Sequence, residues 1–381
     1  MSRMRILLDA TCVTARVTGS ARYLMTLVEA LGTHQPDVAV EIFGFERHLP
    51  MALPEGMTYR KAPLLRGFGP AAREVSRRRY VHVRSNSESF DLVHFVLDPA
   101  PVRGTKTVFT LFDLARQSGE YKAATRASRF RSAARTRLRY GLARRMDRVI
   151  TTSEAARDSI VEQLGIDVKR IDVNVIAHDT SFTPGPVDAD VLDEIGMAGK
   201  SFALFVGQFG RQKNEERLLR AFFQAKESGA LNGDSSLVLV GSSEDLTDST
   251  RRLLSERRGR DVVIVENVPD DVLVHCYRAA RCVCLPSSYE GYGLPVQEAM
   301  ACGTPSIVSN VTSLPEIAMD SGLAVAPDDE TALCDALVMM FTDDKLRASL
   351  SGRARELAAG RTMEVMARQH VETYRKVIDD A

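Results

Sequence analysis

The chain lacks an apolar run approaching the ~18 residues that a membrane-spanning helix needs, so no such span is expected. Its beginning, Met1-Ser-Arg-Met-Arg-Ile-Leu-Leu-Asp9, goes straight into a strand pattern without the apolar core of a signal peptide. Cysteine is sparse. Residues 12, 276, 282, 284, 302 and 334 are scattered through apolar runs, and one Cys-x-Cys pair does not make a zinc site. They are expected to be reduced core residues of a cytosolic protein. No Asp-x-Asp cluster serves as a ligand set, so neither a metal nor a cofactor is expected. No basic motif is interleaved with aromatics, which argues against a nucleic-acid partner.

Net charge is also lacking, with 50 basic against 50 acidic residues, but the balance hides an asymmetry. Basic residues are in excess up to about residue 190 and acidic ones after it. Opposite signs in the two halves suggest two domains with different partners, the basic one facing an acidic acceptor or an anionic membrane surface. A length of 381 residues is comfortable for two domains, and 44% hydrophobic with 26% charged residues is ordinary for a soluble globular chain.

Short apolar runs alternate with helical patterns throughout. The expected strands are Arg5–Asp9, Val38–Phe45, Leu92–Val96, Thr107–Phe112, Arg148–Thr152 and Asp172–Ile176, then Phe202–Val206, Leu237–Val240, Val262–Val265, Cys282–Leu285, Ser306–Val308 and Leu323–Val325. Such alternation implies α/β architecture with parallel sheets covered on both faces. Phe182-Thr-Pro-Gly-Pro186 reads as a linker. The expected domains are therefore 1–184 and 185–361, with a final helix over 362–381.

The stretch Glu290-Gly-Tyr-Gly-Leu-Pro-Val-Gln-Glu298 carries the most chemistry. It joins a buried strand pattern to a helix pattern that Pro295 opens and Gly303 stops. A glycine-rich loop there exposes N–H groups, and the helix dipole adds positive potential, which suits phosphate. Glu298, read as lying in the first helical turn, is placed to accept hydrogen bonds from a ribose, and Glu290 from another polyol. The plain alternative is a solvated turn with surface acids.

Spacing and continuation, through Glu298-Ala-Met-Ala-Cys-Gly-Thr-Pro and Ser313-Leu-Pro-Glu-Ile317, resemble the paired-glutamate signature of glycosyltransferase family 4. The resemblance implies a retaining transferase with two Rossmann-like domains facing a central cleft, the GT-B fold. The final helix would cross back onto the N-terminal domain. The C-terminal domain would hold the nucleotide-sugar donor through Gly207, Gly291, Tyr292, Gly293, Leu294 and Glu298. Phe205-Val-Gly-Gln-Phe-Gly-Arg-Gln-Lys-Asn214 looks like the family's Arg-Lys-Asn signature with Gln212 inserted. Arg211, Lys213 and Glu290 would then be catalytic, the two cations neutralising the leaving diphosphate.

Thr18-Gly-Ser-Ala-Arg-Tyr23 resembles the family's first glycine loop, with Ala21 where a second glycine is usual. Gly19 would approach the donor and Arg22 the acceptor; a plain strand-to-helix turn fits equally well. At Thr107-Val-Phe-Thr-Leu-Phe-Asp-Leu114 the family often has a sugar-binding histidine where this chain has Phe112, while Asp113 remains and would by the resemblance contact the nucleotide-sugar. His94, at a strand end, is an acceptor-side candidate, although a lone histidine on an apolar strand more often has a structural role. His178-Asp179 stands where the family commonly has Asn-Gly.

Lys122 to Arg148 holds ten basic residues and one acid, with Ala127, Phe130, Ala134, Leu138 and Leu142 at helical spacing. The apolar stripe is expected to pack on the sheet beneath a solvated basic face, and anionic lipid is the alternative partner. Together these readings describe a cytoplasmic transferase acting on a glycan, a lipid-linked or a small-molecule acceptor, with peripheral contact at the inner membrane face as a further expectation. A catalytically silent partner subunit and a nucleotide-sugar epimerase are the alternatives.

Overall fold

The computed structural model describes residues 3–14, 18–64, 69–87, 90–114, 126–257 and 261–379. The chain divides into two compact units, Met1–Ala177 with Arg361–Ala381, and His178–Gly360.

The first unit carries a seven-stranded parallel sheet in the order β3-β2-β1-β4-β5-β6-β7. Its strands are β1 Met4–Asp9, β2 Val38–Gly44, β3 Thr58–Lys61, β4 Leu92–Val96, β5 Lys106–Thr110, β6 Arg148–Thr151 and β7 Ile171–Val173. The second unit carries a six-stranded parallel sheet, β10-β9-β8-β11-β12-β13. Those strands are β8 Ser201–Val206, β9 Ser235–Val240, β10 Val262–Val265, β11 Cys282–Leu285, β12 Ser306–Ser309 and β13 Gly322–Val325. Parallel pairing needs crossovers; helices supply most of them, while β2–β3 and β4–β5 are joined without a helix, and central strands such as β4, β9 and β11 are buried along their whole length. In each sheet the strand order reverses beside the first strand, between β1 and β4 and between β8 and β11. Ligands of open α/β sheets bind at such reversals, outside the carboxyl ends of the strands.

Edge strand β3 was not expected. It is polar and mostly exposed, and it is held by parallel register to β2 and by Arg60 Nε donating to Glu41 Oε2 at 3.0 Å. The segment 178–184, assigned by sequence to the first domain, belongs to the second unit. Phe182 is fully buried edge-on against Tyr277, and Arg278 Nε donates to the Thr183 carbonyl at 2.8 Å. Helix Met363–Asp379 packs in the first unit against helix Gly19–His34. All six cysteines are free and buried. Among the described residues, no helix is long and apolar enough to cross a membrane.

The arginine-rich helix spans Arg126–Ala143, and 115–125, together with the side chains of Ala127 and Phe130, lie outside the described residues. Its packing face is rotated from the expected one. Ala134 and Leu138 are exposed, while Thr136, Arg139, Tyr140 and Ala143 are buried with Leu142. The guanidinium of Arg139 sits 5.8 Å over the Phe109 ring, so an arginine occupies the inward face that the pattern reserved for apolar side chains.

Candidate functional site

The second unit's candidate site lies at its strand-order reversal, where the loops after β8 and β11 meet. After β8 the chain enters Gly207, whose N–H donates to the Val240 carbonyl at 3.0 Å. A 3-10 turn, Arg211–Lys213, follows, and Asn214 adopts φ +60° before helix Glu215–Glu227. The turn is clasped to the loop after β11. Gln212 Nε2 donates to the Tyr289 carbonyl at 2.8 Å and the Gln212 carbonyl accepts from the Ser288 N–H at 2.8 Å. Asn214 Nδ2 donates to the carbonyls of Pro286 at 3.0 Å and Pro327 at 2.7 Å.

The clasp brings Lys213 Nζ to 2.5 Å from Glu290 Oε1, which also accepts from Ser287 Oγ at 2.7 Å. Thr312 Oγ1 accepts from the Glu290 N–H at 3.1 Å, and Ser313 Oγ donates to the carbonyls of Glu290 and Tyr292. Arg211 goes elsewhere. Residues of a 3-10 turn advance about 120° each, so positions 211 and 213 point apart. Arg211 is exposed and lines a cavity of about 220 Å³ with Glu216, Arg217 and Glu330. Behind the turn, burial pushes the Glu215 carboxyl up, and it accepts from the Gly210 N–H at 3.1 Å.

Helix Leu294–Cys302 opens at Gly293, which has φ +112° and no side-chain cap. That φ strains any side chain, and a Cβ there would stand 2.8 Å from Leu314 Cδ2, which would have to move. Glu298 is the fifth residue of this helix, in the second turn and not the first as the sequence suggested, and the first turn holds no acid. The residue is 6% exposed, and its carboxylate accepts from the Tyr277 hydroxyl at 2.6 Å. Tyr292 is likewise buried, its hydroxyl donating to Gln297 Oε1.

In the first unit, Gly19 is exposed at the start of helix Gly19–His34, behind the N-cap Thr18. Ala21 is fully buried, so its methyl is core. Arg22 is half-buried, with its carbonyl accepting from Thr26 Oγ1 at 3.0 Å. Asp113 and Phe112 are half-buried, and the Phe112 ring meets Tyr23 edge-on at 4.9 Å. The acceptor-side reading of His94 is corrected. The ring is fully buried, with Nδ1 2.8 Å from the Tyr374 hydroxyl and Nε2 2.8 Å from Thr110 Oγ1. At 178–181 the Asp179 carboxylate accepts from the Ser181 N–H and hydroxyl, a local turn.

Sequence reasoning assigned no role to Tyr277, Thr312, Ser313 or Glu215. Asn214 and Ser313 carried a signal only as end residues of segments that resemble the family's signatures.

Two Rossmann-like units with parallel sheets of this kind define the GT-B fold, and solved structures share it. A sucrose-phosphate synthase from Thermosynechococcus elongatus superposes with TM-score 0.75 at 22% identity over 100% of both chains. Anabaena HepE in complex with UDP-glucose does so with TM-score 0.72 at 16% identity over 98% of this chain and 100% of its own. The family model described as Glycosyltransferase Family 4 matches residues 17–177, and that described as Glycosyl transferases group 1 matches residues 194–357. The chain belongs to this glycosyltransferase family. The O-antigen chain mannosyltransferase B of Escherichia coli is 31% identical over 231 residues, 60% of each chain. A D-inositol 3-phosphate glycosyltransferase of Corynebacterium jeikeium is 33% identical over 224 residues, 55% of this chain and 52% of its own. The matched segments thus span between half and two thirds of these relatives.

Proposed function

We propose that the protein transfers a sugar from a nucleotide-sugar donor to a glycan, lipid-linked or small-molecule acceptor, with retention at the anomeric carbon. The observation that carries this reading is the Lys213–Glu290 pair beside the uncapped glycine start of helix Leu294–Cys302, with Glu298 held by Tyr277 in the next turn. The helix start and Lys213 suit a diphosphate, and Glu298 suits the ribose hydroxyls. As the bond to the diphosphate breaks, negative charge grows on the leaving oxygens. A fixed ammonium and preorganised N–H donors stabilise that charge more in the transition state than in the ground state. The leaving phosphate then takes the acceptor proton on the same face. Lys213 supplies the cation in this scheme, so turnover is expected to survive chelation of divalent ions.

HepE holds UDP-glucose on the same fold, and the relatives are named for mannosyl transfer and for inositol 3-phosphate, which supports a nucleotide-sugar donor and a hydroxylated acceptor. The test is a thermal-shift screen against nucleotide sugars, followed by measured release of nucleoside diphosphate. A ligand at 100 times its Kd stabilises the fold by about 2.7 kcal/mol. If no nucleotide sugar stabilises the protein and none is consumed, the reading fails.

A further inference from the structure

The first unit has a cavity that the donor chemistry does not use. It measures about 620 Å³ and opens at the carboxyl edge of the seven-stranded sheet, beside the β1–β4 reversal. Thr11 after β1, Phe45 after β2 and Asp98 after β4 contribute to it, and the rest comes from helices Gly69–Ser87 and Arg126–Ala143. The volume lies within the roughly 300–1,000 Å³ of small-molecule sites.

Its lining is dominated by arginine: Arg73, Arg77, Arg78, Arg135 and Arg139 stand against Glu74 and Asp98. Arg77 builds the wall. It is 3% exposed, and its guanidinium donates to Asp9 Oδ2 at 2.9 Å, to Glu74 Oε2 at 2.9 Å, and to the carbonyls of Asp98 at 2.5 Å and Pro99 at 3.1 Å. Across the cavity, Asp98 faces two further arginines, Arg135, which bonds it directly, and Arg139, 3.9 Å away. Burial raises the Asp98 carboxyl, but the two arginines outweigh burial and hold it below the usual range. Arg73 is exposed, with its guanidinium 5.9 Å over the Phe45 ring. Phe45, Leu138 and Leu142 add an apolar side to the same space.

An excess of planar guanidinium forks around one cavity suits a tetrahedral dianion, which accepts paired hydrogen bonds from several directions. Volume and apolar side exceed what a bare phosphate needs and suit a carbon skeleton attached to it. We infer that this cavity binds a phosphate ester of a polyol or sugar, as the acceptor-side ligand of the protein. The word acceptor rests on the proposed transfer, whereas the phosphate chemistry rests on the cavity alone. A soluble sugar phosphate and a phosphomonoester lipid headgroup share that chemistry.

The experiment titrates the full chain with glucose 6-phosphate and with inorganic phosphate by calorimetry, with the nucleoside diphosphate present at saturation and glucose as the uncharged control. The phosphate compounds are expected to bind and glucose is not. Arg73→Gln and Arg135→Gln, both at exposed positions, should each weaken binding about tenfold or more, the scale of one lost hydrogen bond to a charged group. Nucleoside diphosphate affinity should be unchanged in both variants. Co-sedimentation with vesicles containing phosphatidic acid, or of phosphatidylcholine alone, separates the sources. Binding to the anionic vesicles alone, lost in the arginine variants, assigns the phosphate to a lipid headgroup, and binding of glucose 6-phosphate without vesicle binding assigns it to a soluble ester. The inference is overturned if neither the phosphate compounds nor anionic vesicles bind, or if binding ignores both substitutions. If they bind as expected while no nucleotide sugar is consumed, the cavity assignment stands and the transfer reading falls.

Discussion

The Tyr277 hydroxyl donates to Glu298 Oε2 at 2.6 Å, and both side chains are buried. Tyr277 is fixed independently. Phe182 packs edge-on against its ring at 5.6 Å, and its carbonyl accepts from Thr304 Oγ1 at 2.6 Å. The acid proposed for the ribose is therefore oriented by a side chain from a neighbouring helix, Asp270–Ala279. Glu298→Ala should weaken nucleoside diphosphate binding by roughly 1.5–3 kcal/mol, the scale of a hydrogen bond to a charged group. Tyr277→Phe should weaken it by a smaller amount, and the double variant should bind no worse than Glu298→Ala. Calorimetry on the four proteins checks this, and additive losses would show that Tyr277 does not act through Glu298.

Lys213 is expected to matter more to turnover than to binding, because leaving-group charge grows in the transition state. Lys213→Ala should lower kcat at least ~100-fold while donor affinity drops less. The same substitution leaves Glu290, side chain 10% exposed, without its ammonium partner. Part of the loss should therefore return in Lys213→Ala with Glu290→Gln, where the uncompensated charge is gone. Equal losses in kcat and affinity would mean that Lys213 only binds.

The sheets were legible because parallel central strands bury both faces and so read as unbroken apolar runs, as Leu92–Val96 and Cys282–Leu285 do. Strand Thr58–Lys61 was not legible, because an exposed edge needs no apolar pattern. The arginine-rich helix misled for the opposite reason. Arg139 lies inward over an aromatic ring, and Leu138, assigned to the core, is 48% exposed. In the candidate site, the glycine loop and its two acids stand together in the sequence. Lys213 meets Glu290 across 77 positions and Tyr277 meets Glu298 across 21, and no local pattern encodes such pairings.

Gly293 is expected to accept a side chain only at a cost. Its φ of +112° disfavours any L-residue, and Leu314 Cδ2 stands 2.8 Å from where a Cβ would go. Gly293→Ala should cost about 1–3 kcal/mol of stability, measured by chemical denaturation. Because Gly293 opens helix Leu294–Cys302, the variant should also lose nucleoside diphosphate affinity at temperatures where it remains folded. Wild-type affinity in the folded variant would separate this loop from phosphate binding.

The final helix should make the first unit acid-sensitive through two buried imidazoles. His370 Nδ1 lies 2.7 Å from the Met366 carbonyl and must donate to it, which leaves Nε2 to accept from the Tyr23 hydroxyl at 2.7 Å. Tyr23 contacts Thr110 Oγ1 at 3.1 Å, and Thr110 contacts His94, so one chain of hydrogen bonds joins both rings in their neutral forms. Burial lowers His370 from 6.5 to about 4, and burial with the neighbouring His370 lowers His94 as well. Between about pH 6.5 and 4 the unfolded chain therefore binds more protons than the folded one, and stability falls as pH falls through that window. At ~1.4 kcal/mol for each tenfold change in proton affinity, His370 alone accounts for roughly 3 kcal/mol by the low end. Chemical denaturation at pH 7.5 and pH 5 should show the loss in the wild type. His370→Gln should be less stable at pH 7.5 yet lose less on acidification. An identical drop in wild type and variant would assign the acid sensitivity to other groups.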